Sequence, residues 1–104
     1  MARFDVFAHP EVAARKSTPY LLDVQNNYID RLESRVVIPM RPASLYRLKL
    51  RDLNPVFEIE GKAMVLDTAA LAAFPARELI RRVTNLEPLR GEINAAMDCL
   101  FGAY

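Results

Sequence analysis

Tryptophan is absent from this sequence, cysteine and histidine occur once each, and glycine occurs three times. Each shortage excludes something. Cys99 is alone, so no intrachain disulfide can form, which fits a reducing cytoplasm. Cys99 and His9 together cannot supply a tetrahedral zinc site. Gly61, Gly91 and Gly102 lie too far apart for a phosphate-cradling loop. His9 stands alone before Pro10, which leaves no Ser/His/Asp relay, and the acidic residues are spread singly, without a carboxylate pair for acid–base work. Neither sign of charge dominates: 14 basic and 13 acidic residues leave a net +1, unlike the Lys/Arg excess of an electrostatic nucleic-acid binder. No apolar run approaches the 18 residues of a membrane helix, and the opening MARFDVFAHP has no apolar signal region, so the expected location is the cytoplasm. No metal, cofactor or small-molecule substrate is expected, and an enzyme is disfavoured against a binding module.

What is present reads as a single globular domain over residues 1–104, with 52% hydrophobic and 26% charged residues. Arg3 to His9 alternates Phe4, Val6 and Ala8 against Asp5 and Phe7, the pattern of a half-buried strand stopped by Pro10. Glu11 to Pro19 is polar and reads as a mobile loop. Tyr20 to Gln25 reads as a second strand, antiparallel to the first, ending in the turn signal Asn26-Asn27. Val36-Val37-Ile38 is a short β-branched run capped by Pro39. An edge strand is read at Leu45 to Leu50. The flanks of Glu60-Gly61, Pro55 to Ile59 and Lys62 to Leu66, form a hairpin. Asp67 to Phe74 is helical by propensity, and Ala76 to Thr84 fits a short helix.

The last fourteen residues, GEINAAMDCLFGAY, read as one amphipathic helix following Pro88. Ile93, Ala96, Met97, Leu100 and Tyr104 share a stripe with Phe101 at its edge, and Asn94 and Asp98 lie just beyond. Cys99 falls off that stripe and reads as a small packing residue, since no base stands beside it in sequence. A bent sheet of five to seven short strands needs its open face plugged, and this helix is the candidate plug. Its apolar tail is read either as core or as a dimer seam and partner-binding tip. Arg35, Arg47, Arg51 and Glu58 are read as either a site assembled in three dimensions or as solvated faces.

The stretch Leu22 to Met40, LDVQNNYIDRLESRVVIPM, resembles the CcdB family, the toxin half of a plasmid-type toxin–antitoxin module. The resemblance rests on Asp23-Val24-Gln25, Ile29-Asp30, Arg35 and Val37-Ile38-Pro39. A second block agrees: Leu53, Pro55-Val56, Ile59, Thr68, Ala72 and Pro75. It implies a mostly β fold with a C-terminal helix, an SH3-like barrel with a five-stranded antiparallel sheet and a smaller sheet, in which Asp67 to Phe74 becomes a strand. It implies a homodimer without catalytic activity that binds the DNA gyrase A subunit and traps the enzyme on cleaved DNA. It also implies a cognate antitoxin whose disordered segment neutralises the toxin, with the pair repressing their own operon through DNA contacts made by the antitoxin.

By the resemblance, gyrase contacts fall on Ile29, Asp30 and Phe101, which match the family. They also fall on Tyr28, Asp98, Gly102, Ala103 and Tyr104, whose positions correspond but whose residues differ. The family closes Phe-Trp-Gly-Ile where this chain closes Phe-Gly-Ala-Tyr, so the tip tryptophan is missing. Met97, Leu100 and Phe101 are the dimer-seam candidates. Two alternatives stand beside the gyrase poison: the same fold with a lost or shifted target, and an RNA-cleaving toxin.

Overall fold

A computed structural model describes every residue except Asp30, Leu48, Ala103 and Tyr104. Among the described residues there are seven strands, β1 (Asp5–Ala8), β2 (Tyr20–Asp23), β3 (Ser34–Pro42), β4 (Val56–Ile59), β5 (Lys62–Leu66), β6 (Ala72–Pro75) and β7 (Arg82–Asn85), followed by one helix, α1 (Arg90–Phe101). Short 3₁₀ turns fill most connections. All strand pairs are antiparallel, as expected for a mostly β chain joined by short links.

β3 is the hub. One edge pairs with β2; the other pairs with β6 along Ser34 to Val37 and with β5 along Met40 to Pro42. The strands form one seven-stranded sheet, in the order β4-β5-β3-β2-β1-β7 with β6 also paired to β3; β6-β3-β2-β1-β7 is its five-stranded part, and the β4–β5 hairpin continues it from the far end of β3. Pro39 does not cap β3 but sits inside it, opposite Leu21. Its carbonyl accepts the Asp67 N–H at 2.9 Å, so its nitrogen faces the gap between β6 and β5, where no ladder bond is needed. The hairpin forms where Glu60-Gly61 predicts it. Both residues have positive φ, +51° and +81°, the backbone of a tight primed turn that glycine accommodates.

α1 fills the concave side. Ile93 and Ala96 are fully buried in one cluster with Val6, Leu22, Ile38, Phe57 and Leu66, and Met97 packs against its margin. The helix is therefore the plug that its apolar stripe predicts, beginning at Arg90 after a 3₁₀ turn that holds Pro88. Gly102, with φ +75°, takes the left-handed C-cap and donates its N–H to the Asp98 carbonyl.

Three further readings are corrected. β1 is buried on both faces rather than half-buried: Phe7, Leu21, Val37 and Leu79, with Phe74, form a second cluster outside the five-stranded sheet. Residues 45–50 hold no described edge strand. Leu45 ends a 3₁₀ turn; the Leu50 N–H donates to the Asn54 side chain and the Asn54 N–H to the Leu50 carbonyl, so a local turn replaces the ladder. Ala76 to Thr84 is not a helix. It is a 3₁₀ turn (Ala76–Glu78) leading into β7, which pairs the otherwise open edge of β1. Asp67 to Phe74 gives up its alanine-rich helix propensity for the turn Thr68–Ala70 and β6, as the family resemblance implies.

Candidate functional site

The loop between β2 and β3 rests on a buried charged base. Asp23 and Arg35 face each other across the sheet, 0% and 1% exposed. Arg35 Nε and Nη2 each lie 2.8 Å from Asp23 Oδ2, the geometry of an ionised pair, while Oδ1 accepts the Gln25 N–H at 2.9 Å. Burial pushes the Asp23 carboxyl above its ordinary range, against the opposing pull of the Gln25 N–H and the Arg35 guanidinium. Arg35 Nη1 has no hydrogen-bond partner among the described residues. Gln25, also buried, accepts the Val36 N–H on one side and donates to the Ile29 carbonyl on the other, each at 3.0 Å.

Above this base the loop turns outward. Asn26 caps a 3₁₀ turn, Asn27–Ile29, by accepting the Tyr28 N–H. Tyr28 is 95% exposed and Ile29 49% exposed, a large apolar presentation for so short a turn. Arg3 connects this loop to α1. Its backbone N–H donates to Asn27 Oδ1 at 2.8 Å, Nε to the Val24 carbonyl at 3.1 Å, and Nη2 to Asn94 Oδ1 at 3.4 Å. The guanidinium lies 4.8 Å from the Phe4 ring centroid. Phe4 has φ +73°, a strained backbone for a side chain of that size. Its ring is buried while Arg3 stays half-exposed between loop and helix.

Asn94, Asp98 and Phe101 follow at i, i+4 and i+7, so they share the helix face that Arg3 grips. Asp98 is exposed, Phe101 is 69% exposed, and Gly102 is exposed at the cap. Of the site residues read from sequence, Tyr28 and Ile29 thus sit on one side of the Arg3 bridge, with Asp98, Phe101 and Gly102 on the helix across it. Asp30, Ala103 and Tyr104 lie outside the described residues. Met97 is half-buried against the core and Leu100 half-buried beside it, which leaves Phe101 as the fully presented member of the dimer-seam set. Arg35, Arg47, Arg51 and Glu58 do not assemble: Arg35 is interior and the other three are exposed. Sequence reading missed Arg3, which no local pattern marks. It also missed the role of Asp23 and Gln25, although a charge and an amide alternating at the end of an apolar strand were the available signal.

A concave surface lies elsewhere. A cleft of about 620 Å³ is walled by Pro19, Tyr20, Pro42, Leu45 and Met64 and edged by Arg15, Lys16 and Lys62. The Tyr20 hydroxyl is committed to the Glu60 carboxylate; burial first, and then that carboxylate, push its pKa up to about 12. The cleft is thus apolar at its floor and basic at its rim. Arg15 also ties it to His9, donating from Nε to the His9 carbonyl at 2.7 Å.

His9 is buried, stacks edge-on to Phe74 at 5.7 Å, and accepts the Glu11 N–H at Nδ1. Burial pushes its pKa below 6.5, helped by Arg15 and opposed by Glu11. The folded state therefore binds the proton less well than the unfolded chain. The stability that neutral His9 contributes is full above about pH 6.5 and falls as the pH drops below it. Replacing His9 with asparagine keeps a side-chain acceptor and removes the titration. Thermal melts at about pH 7.5 and about pH 5.5 should show a smaller acid-induced loss for His9→Asn than for the parent.

Among the described residues, no group of three or more His, Cys, Asp or Glu is placed to hold a metal ion. Nor, among the described residues, is any helix long and apolar enough to cross a membrane. A search of curated proteins finds no match. The family model described as CcdB protein matches residues 3–102, nearly the whole chain. A curled antiparallel sheet closed by a terminal helix, with that match across it, places the chain in the CcdB family of toxin–antitoxin toxins.

Proposed function

We propose that the protein is a non-enzymatic toxin that acts as a homodimer in the cytoplasm, binds the DNA gyrase A subunit and holds gyrase on cleaved DNA. The observation that supports this most is the Arg3 bridge. It sets an exposed apolar turn, Tyr28 and Ile29, against the helix face that ends in exposed Phe101. Such a surface suits a protein partner: aromatic and apolar groups presented on a hydrogen-bonded frame. Asp30, Asp98, Gly102, Ala103 and Tyr104 complete the proposed contact set. The basic-rimmed cleft suits the acidic, disordered segment of a cognate antitoxin, which would neutralise the toxin and, together with it, repress the operon.

The test is induced expression followed by an assay for gyrase-linked DNA breaks. Growth arrest with trapped breaks is expected. Growth arrest without them rejects gyrase as the target. One feature favours that second reading, a toxin fold with a shifted or lost target. Gly102 stands where the family carries its tip tryptophan, and its left-handed backbone ends the helix there. A folded dimer that leaves growth untouched marks an inactive toxin.

For the dimer, Leu100 and Phe101 are the proposed seam, with Met97 beside them. Leu100→Lys should sediment as a monomer, because a charge would be desolvated at the interface. A dimer that survives this change places the seam elsewhere.

A further inference from the structure

The exposed turn is held by one buried side chain. Gln25 is 5% exposed and too deep to touch a macromolecular partner. Its Oε1 accepts the Val36 N–H from β3, and its Nε2 donates to the Ile29 carbonyl in the turn. The Gln25 backbone is itself pinned: its N–H donates to Asp23 Oδ1 at 2.9 Å, and its carbonyl accepts from Arg35 Nη2 at 3.4 Å. A chain of bonds thus runs from the Asp23–Arg35 pair through Gln25 to the residue that presents the Ile29 side chain.

We propose that Gln25 is a positioning residue: it fixes the Asn27–Ile29 turn in the conformation that the toxin's target recognises, with the Asp23–Arg35 pair as its anchor. The proposal rests on the toxin reading given above. The reason is entropic. A turn free to sample several backbone states binds only from the fraction that is competent, and a hydrogen bond to a rigid strand raises that fraction before binding. The amide is the one neutral group of this length that can accept from β3 and donate to the turn at once.

Gln25→Glu separates the two bonds. A carboxylate still accepts the Val36 N–H, but it cannot donate to the Ile29 carbonyl. Gln25→Met removes both bonds without adding charge, and serves if the glutamate variant does not fold. Amide exchange of residues 27–33 on purified protein should quicken by about tenfold, the equivalent of one lost hydrogen bond. At equal levels of folded protein, and with a melting temperature close to the parent's, the dose needed for growth arrest should rise by about the same factor. A purely structural role would move the melting temperature and not the arrest dose at matched folded protein. Unchanged exchange overturns the anchoring. Faster exchange with undiminished arrest overturns the positioning role. If the parent protein itself arrests no growth, the toxin reading fails and takes the link to toxicity with it, while the exchange data still decide whether Gln25 holds the turn.

Discussion

Arg35→Ala is expected to cost about 3–5 kcal/mol, enough to leave much of the protein unfolded if its total stability lies in the usual range of about 5–15 kcal/mol. The reason is not that the ion pair is strongly stabilising. Taking two charges out of water costs nearly what their attraction returns. The cost comes from what remains: Asp23, fully buried, would lose both contacts to its Oδ2 and stay desolvated. The Gln25 carbonyl would also lose a donor. The matching double variant, Asp23→Leu with Arg35→Met, removes both charges and keeps the volume filled. It should recover at least half of the loss, but not all, because the Gln25 N–H then lacks the acceptor that Asp23 Oδ1 provides. Urea unfolding of the parent, the single and the double variants gives the comparison. A single variant within about 1 kcal/mol of the parent would show that solvent reaches this pair after all.

Phe101→Ala is expected to do the reverse. Its ring is mostly exposed at the end of α1 in the single chain, so the fold of the protomer should change by no more than the roughly 0.5 kcal/mol typical of surface changes, and a larger fall in melting temperature would report a weakened seam. Toxicity should fall steeply. Truncating an aromatic anchor at an interface costs about 2–4 kcal/mol, or roughly 30- to 1000-fold in affinity. The effect should be at the upper end here because the chain has no tryptophan to share the contact. Growth arrest titrated against induction level, with the folded dimer quantified by sedimentation, measures it. Full arrest by Phe101→Ala would move the working surface away from the helix tip. Together the two substitutions separate what keeps the fold from what the fold presents.

Both positions were visible in the sequence, though not equally. Phe101 was identified by its place at the edge of the helical stripe and by the family pattern. Arg35 was part of that pattern, but its burial was not legible. A lone arginine in a β-branched run reads as a solvated face until the strand opposite supplies Asp23. That pairing depends on register across β2 and β3, which a linear pattern does not record. Arg3 shows the same limit more sharply. It reaches Asn27 and Asn94, 24 and 91 residues away, through contacts that only chain closure creates.

The misread segments follow the same rule. The Glu60-Gly61 hairpin was legible because its two positive-φ residues act locally. The helix was legible because α1 carries its own period. Residues 76–84 and 45–50 were misread because their structure answers to neighbours distant in sequence. The first pairs the edge of β1, and the second is replaced by a turn built around the buried Asn54, which also donates to the Leu66 carbonyl. The sequence by itself determined the antiparallel class, the hairpin, the helix and its buried stripe, since those depend on side-chain periodicity and turn chemistry within a few residues. Only the tertiary structure decided that β3 serves two partners on one edge, that β1 is buried on both faces, and that a buried Asp23–Arg35–Gln25 chain stands under the exposed turn. Those features exist only where strands remote in sequence meet and water is excluded between them.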